Sequence, residues 1–296
     1  MTNEFYTIKK GDTIGVAAPS ARFDDQRLEK GILCLRDLGF DVHVPQGIYK
    51  KKRYLAGDDL SRAMVVNELF ADPHIKGIIS ARGGFGAMRM LDLLDWELIR
   101  NNPKLFMGFS DATALLTAII QRTEFGVVHG PNLVSLAEAE PQTLSSFYRA
   151  ITGISGDIFI DQGYCLKPGQ ARGKLIGGNI STLAHLIGTR FQPDFKGGVL
   201  FLEDVGEPAY KIDRMLSQMK MANLFQGIQG IISGSFENCK NQDYLPQILL
   251  DIFEEYRVPM LMGLTSGHAK INLSLAMGVE VVLDATNSRL IWQANQ

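Results

Sequence analysis

Short apolar runs alternate with amphipathic segments along the first half of the chain. Four of these runs have the length of buried strands, and they occupy 12–18, 41–44, 77–80 and 105–108. Three segments with apolar residues at helical spacing lie between or after them, at 24–38, 59–70 and 111–122. This alternation predicts an α/β domain over residues 1–151, with a mostly parallel sheet flanked by helices.

The pattern changes after residue 151. The stretch 152–172 contains several glycines and a proline without helical spacing, which predicts a linker, with or without a short strand inside it. Strand-like apolar runs then resume at 198–202, 230–233, 260–262 and 280–283. Helical segments are predicted at 179–187, 210–221 and 244–256. Residues 173–296 are therefore predicted to form a second, smaller α/β domain.

Composition narrows the classes of function. With 30 basic and 32 acidic residues, the formal net charge is −2, so no basic excess is available for nucleic-acid phosphates. No apolar run reaches the roughly 18–20 residues that a membrane-spanning helix requires. The first ten residues lack the apolar core of a signal peptide, which predicts a cytoplasmic protein whose mature chain starts here.

Cysteine and histidine positions give no sign of a metal or a cofactor. The three cysteines are scattered and fit neither a disulfide framework nor a metal site, and Cys34 lies among apolar residues as a core residue would. The five histidines form no close cluster and no zinc-binding motif. We therefore expect a protein that uses neither.

A serine at a strand-to-helix junction is the most informative local feature. The apolar run 105–108 leads through Phe109 to Ser110, and a helical segment starts at Asp111. The first N–H groups of a helix have no partner within the helix and can bind an oxyanion, so Ser110 there has the setting of a nucleophile. The arrangement resembles a nucleophile elbow without its usual glycine motif. Serine is also a favoured helix N-cap, and this simpler role stays open.

A glycine-rich turn follows the predicted strand 77–80. Its sequence, Ala81-Arg82-Gly83-Gly84-Phe85-Gly86, allows a sharp turn that brings backbone N–H groups close to an anion. The spacing fits neither a phosphate-binding P-loop nor a dinucleotide-binding fingerprint. The turn is therefore interpreted either as a donor loop for a carboxylate or oxyanion, or as a tight turn alone.

The second half supplies the other groups that a serine nucleophile needs. Glu203 lies at the end of an apolar strand, and His268 lies in a glycine-flanked loop. A histidine must take the serine proton, and a carboxylate must orient that histidine. The order Ser110, Glu203, His268 is compatible with such a triad. The acids after the strand also suit a helix start, and a loop histidine is commonly a surface residue.

The chain resembles the LD-carboxypeptidase family of serine peptidases. The similarity extends over nearly the whole sequence, in the expected order, and a Phe at 109 where the family often has Tyr is a mild departure. The matching segments are Gly11-Asp12 through Ala18-Pro19-Ser20, Ala81–Gly86, Gly108–Asp111, His129-Gly130-Pro131, Gly177-Gly178-Asn179, Phe201–Glu207 with Ile212-Asp213-Arg214, and Gly267-His268 with Asn272.

This resemblance implies a cytoplasmic hydrolase that removes the terminal D-alanine of murein tetrapeptides during cell-wall recycling. It implies a Ser-Glu-His triad on Ser110, Glu203 and His268, a site between two domains, and a homodimer. With that chemistry, we expect the N–H groups of Asp111 and Gly84 to form the oxyanion hole. Arg82, with Gly83, is expected to bind the substrate carboxylate, although a structural ion pair is an equal alternative for Arg82.

Two other functions are compatible with the sequence, and a third is disfavoured. A related branch of the family cleaves peptidyl-nucleotide antibiotics of the microcin C type, but it has an added recognition loop for which 296 residues leave little room. A non-catalytic α/β module could use the same glycine turns to bind a small anion. A nicotinamide dehydrogenase is disfavoured because the first strand lacks the glycine fingerprint.

Overall fold

The computed structural model describes residues 4–154, 156–161 and 163–292. Its helices are α1 (Asp25–Asp37), α2 (Asp59–Ala71), α3 (Ala87–Met90), α4 (Trp96–Asn101), α5 (Thr113–Thr123), α6 (Leu133–Leu136), α7 (Pro141–Thr152), α8 (Ile180–Ala184), α9 (Ala209–Met221) and α10 (Leu245–Phe253). In the part of the chain that is described, no helix has the length and apolar character needed to cross a membrane.

The first sheet has six strands in the order β12-β5-β4-β3-β1-β2. They are β1 (Thr13–Ala17), β2 (Asp41–His43), β3 (Ile75–Ser80), β4 (Leu105–Gly108), β5 (Val127–His129) and β12 (Leu275–Met277). All neighbours pair in parallel except β12, which runs antiparallel to β5. The predicted mostly parallel N-terminal sheet is confirmed.

The second sheet has eight strands in the order β6-β14-β13-β8-β9-β10-β11-β7. They are β6 (Gly156–Phe159), β7 (Tyr164–Lys167), β8 (Gln170–Asn179), β9 (Gly198–Val205), β10 (Gly230–Glu237), β11 (Met260–Met262), β13 (Glu280–Asp284) and β14 (Arg289–Trp292). The central strands β8 to β11 are parallel, and the outer strands are antiparallel. The second unit is therefore α/β as predicted, with a mixed sheet.

Local sequence explains where the long helices begin. Asp24 and Asp58 precede α1 and α2, and each side chain accepts a hydrogen bond from a backbone N–H in the first turn of its helix. Such caps satisfy donors that have no partner inside the helix. The capping aspartates thus fix the two helices that cover the sheet beside the glycine-rich turn.

Two segments differ from the sequence-based expectation. The described part of the predicted linker 152–172 contains β6, β7 and the start of β8, all hydrogen-bonded into the second sheet. Residues 155 and 162 of that segment lie outside the described residues. In addition, β12 comes from the predicted second domain but pairs with β5 of the first sheet. The two halves are therefore joined by strand pairing as well as by side-chain packing.

The core is shared across the two sheets. Successive residues of β9 point to opposite faces, so Phe201 joins the core that surrounds the first sheet, whereas Leu202 joins a separate core beneath α9 and α10. Glu203 continues the alternation on the face of Phe201. This register turns a buried carboxylate of the second sheet toward the first half of the chain.

Candidate active site

Ser110 lies in a strained turn at the carboxyl end of β4. Its backbone φ is 64°, a left-handed conformation that is uncommon for a residue other than glycine, and a short 3₁₀ turn at Ser110–Ala112 leads directly into α5. A Cβ at Gly108 would lie 2.8 Å from the Ala112 Cβ and 2.8 Å from the Ser80 Oγ. The glycine thus permits the chain to turn this tightly. The predicted strand–serine–helix junction is present.

The glycine-rich turn after β3 packs against this serine. Gly83 is buried, and a Cβ there would lie 2.9 Å from the Ser110 Oγ and 3.4 Å from the Asn132 Nδ2. Gly84 has a φ of 101° and lies against the Cβ of Ala21. Gly83 therefore lets the backbone of the turn approach Ser110 at a distance that a side chain would prevent, and Gly84 permits the positive φ of the turn.

The buried side chain of Arg62 holds this turn in place. It donates one hydrogen bond to the Gly86 carbonyl at 2.9 Å and another to the Pro19 carbonyl, and it pairs with Asp59. The position is the fourth residue of α2, where the sequence gives no sign that the arginine faces inward. Sequence reasoning missed it for that reason.

The carboxylate of Asp111 links the serine turn to the glycine turn. It is nearly fully buried and accepts a hydrogen bond from the Ala87 N–H at 2.8 Å, at the start of α3. Burial raises its pKa above the usual value for an aspartate, against the opposing effect of its hydrogen bonds. The two turns that flank Ser110 are thus fixed relative to each other.

Glu203 and His268 form a direct pair. The Glu203 side chain is fully buried, and its Oε2 lies 2.7 Å from the His268 Nδ1. A carboxylate can only accept, so Nδ1–H donates and Nε2 is left as an acceptor. Gly267 makes this approach possible, since a Cβ there would lie 2.5 Å from the same carboxylate oxygen.

The surroundings of His268 favour its charged form. Burial alone lowers the pKa of this histidine, but the hydrogen bond and negative charge of Glu203, with smaller contributions from Asp204 and Glu237, outweigh that effect. The pKa of His268 is therefore raised above its ordinary value of 6.5. A histidine in this setting is a good proton acceptor at neutral pH.

Aromatic packing connects the histidine with the serine turn. The ring of Phe109, next to Ser110 in the chain, lies 4.8 Å from the His268 imidazole and 6.1 Å from that of His129. His129 is fully buried, and burial lowers its pKa to about 3, so it stays neutral. Phe109 thus packs the residue next to Ser110 against the imidazole of the Glu203–His268 pair.

A cavity of about 280 Å³ opens beside Ser110. Ser110, Asp111 and Gly84 line one side of it, together with Phe85 and Met88. The second half lines the other side with residues of β8, α8 and the end of β9, namely Asn179, Ser181, Thr182, His185, Asp204, Val205 and Glu207. The helical segment 179–187 was predicted, but Ser181 and Thr182 of α8 were not recognised as residues of the site, because hydroxyl side chains in a short helix form no distinctive motif.

Arg82 contacts the backbone of an earlier segment rather than lining the cavity. Its side chain is exposed, and Nη1 donates to the Arg22 carbonyl at 2.7 Å. It does not contribute to the lining of the cavity. The structure therefore gives Arg82 a backbone-anchoring contact instead of the ion pair considered as the alternative.

Comparison with known families assigns the chain. Residues 14–130 match the model of the LD-carboxypeptidase N-terminal domain, and residues 172–283 match that of the LD-carboxypeptidase C-terminal domain. The chain belongs to the LD-carboxypeptidase family. Its members are serine-type peptidases, so the chain is a serine-type carboxypeptidase, and the family resemblance seen in the sequence is confirmed.

Three relatives cover nearly the full length. A probable murein peptide carboxypeptidase of Bacillus subtilis is 35% identical, over 97% of this chain and 93% of that protein. The murein tetrapeptide carboxypeptidase of Pseudomonas aeruginosa is 32% identical, over 94% of each. The microcin C7 self-immunity protein MccF of Escherichia coli is 29% identical, over 95% of this chain and 92% of that protein.

Solved structures from both branches share this fold. An MccF-like protein of Bacillus anthracis superposes with a TM-score of 0.91 at 26% identity, covering 98% of this chain and 99% of that one. A muramoyltetrapeptide carboxypeptidase of Oxalobacter formigenes superposes with a TM-score of 0.84 at 27% identity, covering 94% and 97%. The two-domain α/β architecture is therefore that of the family.

Proposed function

We propose that this carboxypeptidase hydrolyses the L–D peptide bond that releases the terminal D-alanine of murein tetrapeptides, through an acyl-enzyme on Ser110. The observation that carries the proposal is the buried Glu203–His268 hydrogen bond of 2.7 Å, in the same region as a serine with a φ of 64°. Relatives that are named as murein peptide carboxypeptidases support the substrate class.

In the first half of the reaction, the Ser110 Oγ attacks the carbonyl carbon on the L-centre side of the scissile bond. His268 Nε2 takes the hydroxyl proton, and Glu203 stabilises the imidazolium that results. The tetrahedral intermediate then collapses, the C–N bond breaks, and His268 returns the proton to the amine of D-alanine. The products of this half are free D-alanine and an ester on Ser110.

In the second half, water replaces the amine. His268 accepts a proton from the water, whose oxygen attacks the ester carbonyl, and the proton passes to the Ser110 Oγ as the ester bond breaks. The oxyanion that forms in both halves is proposed to bind the N–H groups of Asp111 and Gly84. This assignment is supported by the position of both residues, which line the cavity beside Ser110. Asp111 lies at a helix start and Gly84 in a glycine turn.

Incubation with a muropeptide mixture tests the substrate directly. Mass spectrometry before and after incubation should show tetrapeptides converted to tripeptides with release of one alanine, and chiral analysis should identify that alanine as D. Conversion of pentapeptides instead, or release of L-alanine, would contradict the proposed bond specificity.

A peptidyl-nucleotide substrate is the second candidate, favoured by the close superposition on an MccF-like protein. The alignment with MccF itself spans 318 positions, more than the 296 residues of this chain, so MccF has segments without a counterpart here. This supports the muropeptide assignment. Cleavage of an aspartyl sulfamoyl adenosine by the purified chain, with muropeptides untouched, would reverse the order of the two candidates.

Arg82 is proposed to bind the terminal carboxylate of the substrate. One of its N–H groups is used by the Arg22 carbonyl, and a guanidinium has five. We expect Arg82→Ala to lower kcat/KM by about 10- to 100-fold for a peptide ending in free D-alanine and only slightly for its amide, since hydrogen bonds to a charged group are worth about 1.5–3 kcal/mol. Comparing both substrates with wild-type and variant enzyme measures this. Equal losses of kcat/KM on the acid and the amide would contradict carboxylate binding by Arg82, and its role would then be limited to the contact with the Arg22 carbonyl.

The raised pKa of His268 sets the expected pH dependence. The base must be neutral, so activity should fall as the pH drops through the raised pKa of His268, above 6.5. Glu203→Gln removes the main cause of that elevation, and the acid limb of kcat/KM should move to lower pH while the plateau falls by about 10²- to 10⁴-fold. Glu237→Gln is the matched control, because it removes a more distant charge and should shift the limb slightly. An acid limb that moves upward in Glu203→Gln would contradict the assigned pair.

A further inference from the structure

The loop that carries His268 is held from the first half of the chain by a run of hydrogen bonds. The Gly267 N–H donates to the Asn272 Oδ1 at 2.9 Å, and the Asn272 N–H donates to the Thr143 Oγ1 of α7 at 3.0 Å. All of these bonds are buried, and Thr143 and Asn272 are each at most 5% exposed. A buried contact so close to the proposed base restricts the position of that base.

Other contacts close the loop around this run. The Leu273 N–H donates to the Thr265 carbonyl at 2.8 Å, and the Ser266 hydroxyl donates to the Leu273 carbonyl at 2.7 Å. From the other side, the Ala269 N–H donates to the Ser235 Oγ of β10 at 3.2 Å. The loop is thus a small closed unit. Three polar contacts among the described residues attach it to the first half: the Asn272 N–H to Thr143, the Ser274 N–H to the Ser146 Oγ at 2.9 Å, and the exposed Lys270 to Glu140 at 2.7 Å. Of these, the Asn272 contact leads directly to Gly267 and His268.

Gly267 links the Asn272 hydrogen bond to the position of the neighbouring His268. This glycine has a φ of 117° and packs against the Glu203 carboxylate, so a small shift of its backbone changes the His268–Glu203 distance. The Asn272 side chain is the acceptor for the Gly267 N–H. A loss of that acceptor leaves a buried donor without a partner, which the loop can relieve only by moving.

We propose that Asn272 is a positioning residue for His268, and that Thr143 of α7 fixes Asn272, so that a helix of the first half aligns the base with Ser110. This inference rests on the proposed catalytic function and adds to it two residues that touch neither substrate nor reacting atoms. Since Ser110 also belongs to the first half, the same part of the chain places both the nucleophile and the base.

Near-isosteric substitutions test whether the hydrogen bonds from Thr143 to Asn272 and from Asn272 to Gly267 position His268. We expect Thr143→Val to lower kcat about 10-fold with KM changed less than twofold, because a displacement of the base by a fraction of an ångström weakens proton transfer without removing a substrate contact. Thr143→Ser keeps the hydroxyl and should restore kcat to within twofold of wild type. Asn272→Ala, one step closer to His268, should lower kcat more than Thr143→Val does.

Thr152→Val is the matched control. Its hydroxyl lies on the same helix but donates to the Tyr148 carbonyl at 2.7 Å, within α7 itself, so its loss should leave kcat and the pH profile unchanged. If Thr143→Val lowers the melting temperature as Thr152→Val does but leaves kcat and the acid limb at wild-type values, the hydroxyl is structural and the proposal is overturned.

An NMR titration of His268 separates this inference from the catalytic proposal. The groups that act on the imidazole are Glu203, Asp204, Glu237 and His129, and Glu203 has the largest effect. A loosened Glu203–His268 bond should lower the titration midpoint of His268 in Thr143→Val and in Asn272→Ala, but not in Thr143→Ser or Thr152→Val. This readout needs no turnover. An unchanged midpoint in both Thr143→Val and Asn272→Ala overturns the proposed positioning role of Asn272 and Thr143, even if the wild-type enzyme cleaves muropeptides.

Discussion

Ser110→Ala should abolish turnover of a D-alanine-terminated peptide, with kcat lower by about 10⁴- to 10⁶-fold, as in other serine triads. The variant removes only the Oγ that forms the acyl-enzyme, and the Glu203–His268 pair does not depend on it. Substrate binding should persist, because the cavity keeps its remaining lining. Single-turnover and steady-state assays on the same peptide measure both effects.

Ser217→Ala serves as the control for Ser110→Ala. Ser217 lies on α9, where its hydroxyl bonds to Asp213, and its removal should leave kcat unchanged. A serine-directed phosphonate should label the wild-type chain and Ser217→Ala at Ser110, but not Ser110→Ala. Near-normal turnover by Ser110→Ala would end the acyl-enzyme mechanism. Absence of labelling in the wild type, with small anions still bound, would favour the non-catalytic module.

Elements with a strong local pattern could be predicted from the sequence. The run 105–108 became β4 at Leu105–Gly108, and the run 260–262 became β11 at Met260–Met262. Such runs are apolar on both faces because helices cover both sides of a parallel sheet. The end of β4 at Gly108, two residues before Ser110, agrees with the prediction, whereas β9 was expected to end at 202 and continues through Glu203 to Val205.

Elements that depend on distant partners could not be predicted. The strand β12 has three residues, and it forms because β5, nearly 150 residues earlier in the sequence, offers an antiparallel edge. The strands β6 and β7 have only four residues each and lie at the two edges of the second sheet. The glycines and the proline around them resembled a linker, and strands this short form because neighbouring strands distant in sequence pair with them.

The same distinction applies to the site. Ser110, Glu203 and His268 each have a local sequence context that suggests a chemical role. Their order along the chain and their positions near predicted strands therefore allowed a triad to be predicted. Arg62 and Thr143 have none, because each lies within an ordinary helical pattern and acts through groups that are distant in sequence. Only the three-dimensional contacts show that this arginine is bonded to the glycine turn beside Ser110 and this threonine to the loop of His268.

Gly83→Ala should be the most damaging conservative change outside the proposed triad. The added Cβ would lie 2.8 Å from the Ser110 Cβ and 2.9 Å from its Oγ, closer than such atoms approach in proteins. Either the serine side chain or the glycine turn must move away, and both movements displace the nucleophile from the proposed oxyanion donors. Because a misplacement of about 1 Å can cost about 100-fold in rate, we expect kcat to fall by about 10²- to 10³-fold.

Gly77→Ala is the matched control for that substitution. Gly77 lies on β3, the strand that leads into the glycine turn, and a Cβ there would meet the flexible Leu105 side chain at 3.3 Å. Both variants add one methyl group next to the same sheet, so a comparable loss of melting temperature is expected from each, whereas only Gly83→Ala should lose kcat and phosphonate labelling together. Since the labelling reaction needs the nucleophile and the oxyanion donors but not the peptide, a parallel loss locates the damage at Ser110. If Gly83→Ala kept kcat within twofold of wild type, the close approach of the turn to Ser110 would have no catalytic role, and the oxyanion donors would have to be sought elsewhere.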